Sequence, residues 1–440
     1  MSDFGWAIVV LVFLGILIGI AKMLSSVLSA EWLRKIIHVG IGCVSLGFPF
    51  MFENRLTVLY LGLIIIPALL LLRLNKKLRK KLGFLLLDTN RKSYSEFYFL
   101  IAVVTVFLLH EAPYEYLISI AVLTFTDSIA ALVGVSYGRF RVSRSEEEDK
   151  ISEGSIMFFI VAYFSTLIPL QLFSEVDRAE VLVVSFLIGL LAALTEMVSV
   201  NGNENLLLPI LTLAFLRYNI SQPLTPIFIN MGLLLLLIIP CIVIYKRTTI
   251  TKLSIVYSLF TAYIILIHGG YTWLIPAIML FIMSGIFPLM PKEERLNERT
   301  YRVVECNAIV GISCLITATF FPEHKDALYL AFSLAFACHM TINTYSRLVN
   351  FKRRSETFAS IYSILKAIIF IFFPTFIFST LGSLEFIIYL LFLLLSIHFA
   401  IYLTKKFDYG HITNEKLMGH KLSVGAIVLL FTIVLTQFII

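Results

Sequence analysis

Charge is scarce in this 440-residue chain. Asp, Glu, Lys and Arg make up only 14% of it, against 59% hydrophobic residues. A soluble domain carries about a quarter of its residues as charges, so a water-soluble globular fold is excluded. Cysteine is scarce as well. Cys43, Cys241, Cys306, Cys314 and Cys338 lie in or beside apolar runs without paired spacing, which excludes a zinc ribbon and predicts buried structural thiols. No Walker motif, protein-kinase glycine loop or His/Cys zinc cluster is present. No serine or cysteine has a base nearby in sequence, which leaves acyl transfer without support. The apolar run from Phe4 to Ile20 lacks a basic leader and a small-residue cleavage site, so it reads as a span rather than a signal peptide.

What the chain has is apolar runs near twenty residues long, and a mean hydropathy of +0.93. That pattern predicts an all-α polytopic membrane protein, with roughly 16 spans at about twenty residues each. Residues 1–248 are expected to form one membrane domain and 249–440 a second. With the N-terminus outside, about 30 of the basic residues fall in the alternate segments that face the cytoplasm. The exceptions are Arg55, Arg178, Arg217, Lys325 and Lys366. Positive-inside topology thus accounts for the net charge of +7, and no nucleic-acid partner is implied. The expected location is a prokaryotic cell membrane.

The stretch Phe125–Ser155 is the most informative. An apolar helix carries the acid Asp127, then small residues at Ala130, Gly134 and Gly138, spaced to share one face. An acid inside an apolar span is expensive to keep, so it marks a candidate site. At 1.5 Å per residue Asp127 lies roughly 16 Å inside the Gly138 end, so it faces a wet cavity or is protonated and structural. After a charged loop, Lys150, Gly154 and Ser155 open the next span, where an ammonium and free N–H groups suit phosphate. The acidic run Glu146–Asp149 reads as a solvated segment, because consecutive acids do not converge.

Other polar clusters sit at the same membrane face. Arg34, Lys35 and His38 occupy successive positions and one further turn of a span; they read as phosphate-binding or as a snorkelling anchor. The loop Arg73–Arg91 holds seven basic residues and suits anionic lipid headgroups. Arg91 at its end, ahead of Glu96, is a candidate phosphate clamp. Glu196, and then Glu204 with Asn205 after an Asn-Gly turn, offer the hard oxygens that Mg²⁺ prefers, or form an ordinary turn and helix cap. The inventory of carboxylates and cations suits phosphoryl transfer, where catalysis is mostly positioning and charge neutralisation.

The motifs RK..H at Arg34–His38, RKS..E at Arg91–Glu96, D..A...G...G at Asp127–Gly138 and K..EGS at Lys150–Ser155 follow in order, with Glu196, Glu204, Asn205 and Pro209 behind them. Over residues 30–220 this series resembles the phytol kinase/dolichol kinase family of membrane prenol kinases. It departs at Ala131, where that family often has an acid, and at Glu204, where an aspartate is usual. The resemblance implies transfer of a phosphoryl group from CTP or another nucleoside triphosphate, with Mg²⁺, to a long-chain isoprenoid alcohol. Asp127, Glu204 and Asn205 would hold the metal, and Asp127, Glu196 and His38 would serve the chemistry. Lys150, Gly154, Ser155, Arg34, Lys35 and Arg91 would hold nucleotide phosphate. The second half, through Arg299–Gly311 and Ile342–Arg347, looks like a degenerate phytyl-phosphate kinase, with Asn343 in place of an acid. The alternatives are a membrane cytidylyltransferase, and a transporter or scaffold in which Asp127 is a proton or ion site.

Overall fold

The computed structural model describes residues 2–28, 30–75, 94–137, 141–144, 149–199, 202–245, 252–286, 311–319, 321–350, 354–378 and 383–406. Helix makes up most of the described residues, and residues 407–440 lie outside them. Among the described residues, eight helices are long and apolar enough to cross a membrane. Others, such as Ser95–Leu109, are shorter. The protein is therefore a helical membrane protein. Among the described residues, a two-stranded antiparallel ladder, β1 (Arg141–Arg144) on β2 (Asp149–Ile151), interrupts the helices in the charged loop.

The chain folds as two compact units, Met1–Met231 and Gly232–Ile440. The division falls inside a helix, Leu224–Tyr245. Unit 1 contains α1 (Asp3–Leu24), α2 (Ala30–Leu46), the short α3 (Phe48–Met51), α4 (Arg55–Leu74), α5 (Ser95–Leu109), α6 (Pro113–Tyr137), α7 (Ser152–Phe173), α8 (Arg178–Val198) and α9 (Glu204–Ile220). Three of its helices start where a short polar side chain takes up a free N–H: Ser2 accepts from Gly5, Asn54 from Leu56 and Asp177 from Ala179.

Burial sorts the helices. In α1 only 17% of the apolar window is inside the protein, and Phe4, Ile8, Val12, Ile16 and Ile20, four apart, stand exposed along one face. Such a stripe suits lipid, not water. In α6 and α8 the buried share is 67% and 61%, so these two form the centre. α6 packs on α2, α7 and α9, and α9 packs in turn on α5 and α8. Central helices can afford polar side chains because neighbouring helices satisfy them.

Two arginines that break the charge asymmetry act at one helix end. Arg55 donates to the Leu108 and His110 carbonyls at 2.9 and 2.7 Å, and Arg217 donates to the Leu109 carbonyl at 2.6 Å. These are the last carbonyls around the C-terminus of α5, which have no helical partner and attract cations. Arg217 also makes a bidentate pair with buried Glu115, at 3.0 and 2.7 Å.

Unit 2 is built around the helix Lys325–Asn350, 89% buried in its apolar window. It packs on Tyr271–Ile286, Glu356–Ala367 and Ser383–Lys406. Trp273, Phe332, Phe336, Phe372 and Tyr389 dominate its core, and Ser333 shares a hydrogen bond with the Tyr389 hydroxyl. Ile368–Phe372 winds as a π-turn just before Pro374, whose missing N–H and ring force the ladder to shift. Cys314 and Cys338 are buried as expected. Cys43 is not: it is exposed, because its neighbours Leu33, Ile37 and Gly42 take the packed face of α2.

Candidate functional site

α2 and α6 run antiparallel, since residues that rise along one meet residues that fall along the other. Lys35 meets Asp127, and His38 meets Leu123. The close approach is made possible at Gly42, where a Cβ would collide with the Thr124 side chain.

At this seam the Lys35 ammonium donates to Asp127 Oδ2 at 2.6 Å and lies 3.4 Å from the Asp127 carbonyl. The Lys35 side chain is 10% exposed and that of Asp127 33%, so the pair is closed on the lysine side and open on the acid side. The acid is thus neither isolated nor left to protonation: a cation from another helix holds it. His38 Nε2 stands 3.4 Å from the Leu123 carbonyl, and its ring meets Phe99 edge-on at 4.7 Å between centroids. Arg34 lies close enough to act electrostatically on both His38 and Asp127.

α5 ties a second group to this seam. One turn before Phe99, the Ser95 carbonyl accepts a hydrogen bond from Asn205 Nδ2 at 3.1 Å. Asn205 is buried in the first turn of α9, and its Oδ1 has no partner. Lys35, His38, Asp127 and Asn205 are therefore gathered around the start of α5. Glu204 and Glu196 are half-buried, at the start of α9 and the end of α8. Gly154 and Ser155 sit in the first turn of α7, and Lys150 pairs with Ser143 in the β ladder. Arg91 lies outside the described residues, as do residues 299–310 of the second-half motif. The Arg73 guanidinium stacks over Tyr94 at 4.0 Å, which brings together the two ends of the basic loop. Among the described residues no three His, Cys, Asp or Glu side chains stand close enough to hold a metal ion.

Sequence reasoning missed two members of the seam. Thr124 and Ser128 are buried, and neither hydroxyl has a hydrogen-bond partner. The signal was the polar run Thr124–Ser128 in an otherwise apolar helix.

The comparisons with known proteins bear on this arrangement as a whole. One family model, described as a predicted membrane protein of the DUF2339 type, matches residues 1–439. The chain belongs to the DUF2339 family. No curated protein and no solved structure matches it. Membership in DUF2339 over the full length overturns the resemblance to phytol and dolichol kinases, and that of the second half to phytyl-phosphate kinases. A physical reason accounts for the misleading motifs. Any polytopic membrane protein puts Lys and Arg at its cytoplasmic helix ends, small residues four apart where helices cross, and Asn-Gly in its turns. A series of such short pieces can thus arise in this chain from membrane topology and helix packing alone.

Proposed function

We propose that the protein is an ion-coupled membrane transporter, with Asp127 as the coupling group and Lys35 as its exchangeable partner. The observation that supports this best is the 2.6 Å pair itself, closed around Lys35 and open at Asp127. Charged groups within membrane helices are costly, pair with one another, and mark ion pathways and proton relays. When Asp127 takes up a proton or a cation, Lys35 is released, and the charge along the α2–α6 seam changes. A seam held by one such pair has two arrangements, which an ion gradient can bias. The reading includes a cell-membrane location and roughly sixteen crossings, with an outer N-terminus and a site near the cytoplasmic face, the orientation being supported by the distribution of Lys and Arg.

The test uses the full-length protein reconstituted in vesicles with a trapped pH dye. An imposed cation or pH gradient is expected to produce a counter-flux that Asp127→Asn abolishes. An identical flux through wild type and Asp127→Asn would remove Asp127 from the role.

A second reading is phosphoryl transfer from CTP or another nucleoside triphosphate to a lipid alcohol. The gathering of Lys35, His38 and Asn205 around the start of α5 favours it, since these can bind phosphate and hydroxyl groups. Among the described residues Mg²⁺ does not fit, because a divalent ion needs more than one carboxylate to match its charge and no acidic trio converges on Asp127. Transfer of label from γ-labelled CTP to a lipid alcohol, lost in Asp127→Asn, would replace the transport reading by this one.

A further inference from the structure

Buried hydroxyls in membrane helices have a local solution: they donate to the carbonyl four residues back. The chain uses it widely. Ser119 donates to Glu115, Thr126 to Val122, Thr166 to Ala162, Thr195 to Leu191 and Ser199 to Thr195. Thr124 and Ser128 do not. Thr124 is fully buried and Ser128 is 3% exposed, yet neither oxygen has a partner. Leaving a buried hydroxyl unsatisfied is unfavourable, so two such departures within one helical turn call for an explanation.

Their placement supplies one. Residues 124, 127 and 128 stand at i, i+3 and i+4, so both hydroxyls share a helix face with the Asp127 carboxylate. Thr124 Oγ1 is directed toward α2, where a Cβ on Gly42 would strike it. Two neutral oxygens and one carboxylate on a single face form the donor set of a hard monovalent cation, with net charge matched to one positive unit. That unit is now supplied by the Lys35 ammonium on Asp127 Oδ2. Lys35 lies five residues, about 7.5 Å, from the start of α2, so its stem can extend toward the headgroups once displaced.

We infer that Asp127, Thr124 and Ser128 form a binding site for a small monovalent cation of the sodium class, with Lys35 as the competing occupant. The inference rests on the ion-coupled reading and names its ion. The closing experiment uses the purified full-length protein in detergent, with NaCl, LiCl, KCl and choline chloride at constant ionic strength. Sodium and lithium are expected to raise the melting temperature saturably, and potassium and choline are not. Thr124→Val and Ser128→Ala keep the side-chain volume nearly intact but remove the hydroxyl, and each is expected to weaken the sodium midpoint by about tenfold or more. Lys35→Met removes the competitor and is expected to strengthen it. Indifference to the choice of cation, or a sodium effect unchanged in both hydroxyl variants, overturns the site. If vesicle flux still depends on Asp127 in that case, only the sodium assignment falls; if that flux is absent too, the ion-coupled reading falls with it.

Discussion

The Lys35 ammonium and the Asp127 carboxylate stand 2.6 Å apart across the α2–α6 seam, 92 residues apart in the chain. Removing one partner of a fully buried ion pair costs about 3–5 kcal/mol, because the other charge is left uncompensated. Asp127 is one-third exposed, so its burial is incomplete and the penalty is smaller. Lys35→Ala is therefore expected to destabilise unit 1 by about 2–3 kcal/mol. The double variant Lys35→Met with Asp127→Asn is expected to regain much of it. Thermal unfolding of the purified variants measures both, and simple additivity of the two single losses would count against a coupled pair.

The crossing at Gly42 makes a separate prediction. Alanine is the better helix former by about 1 kcal/mol, yet its Cβ would collide with Thr124, and overpacking costs about 1–3 kcal/mol. Gly42→Ala should therefore lower stability, and adding Thr124→Ala should restore it. A Gly42→Ala protein as stable as wild type would show that the two helices separate without penalty.

Arg217 and Glu115 pair through two hydrogen bonds, with the Glu115 side chain 8% exposed. Arg217→Ala leaves the Glu115 carboxylate with the Glu111 N–H alone and takes the guanidinium from the Leu109 carbonyl, for an expected loss of about 2–3 kcal/mol. Arg217→Lys is expected to recover less than half, since an ammonium cannot reproduce the planar fork. Denaturation midpoints of the two variants decide the matter, and equal stability of Arg217→Lys and wild type would contradict it.

His110, between α5 and α6, titrates below the ordinary histidine value of 6.5, chiefly because burial disfavours its charged form. The Arg55 charge lowers it further, while the Phe107 carbonyl, which accepts from Nδ1 at 2.6 Å, and the Glu115 charge raise it. With the folded value depressed, the unfolded chain binds the proton first. The stabilising contribution is complete above pH 6.5 and is lost as pH falls through the folded value. Melting temperatures between about pH 8 and pH 5 should fall more steeply for wild type than for His110→Gln. Parallel curves would assign the dependence to other groups.

The sequence by itself determined that the protein lives in a membrane, that it is helical, and that Asp127 is a special residue. These follow from local rules: low charge, apolar runs of spanning length, and the cost of an acid in an apolar helix. The overall asymmetry of Lys and Arg was equally legible, but not the reason for its exceptions. Arg55 and Arg217 cap the end of α5, a role visible only once α4, α5 and α9 lie together. Tertiary structure alone decided that Asp127 is held by Lys35, a residue that sequence reasoning assigned to phosphate. A long, flexible ammonium has no preferred partner until helix packing fixes which carboxylate it can reach. The hydroxyls of Thr124 and Ser128 were undecided for a related reason. Every serine and threonine in a helix can satisfy itself on the preceding turn, and whether it does so depends on what the neighbouring helix presents.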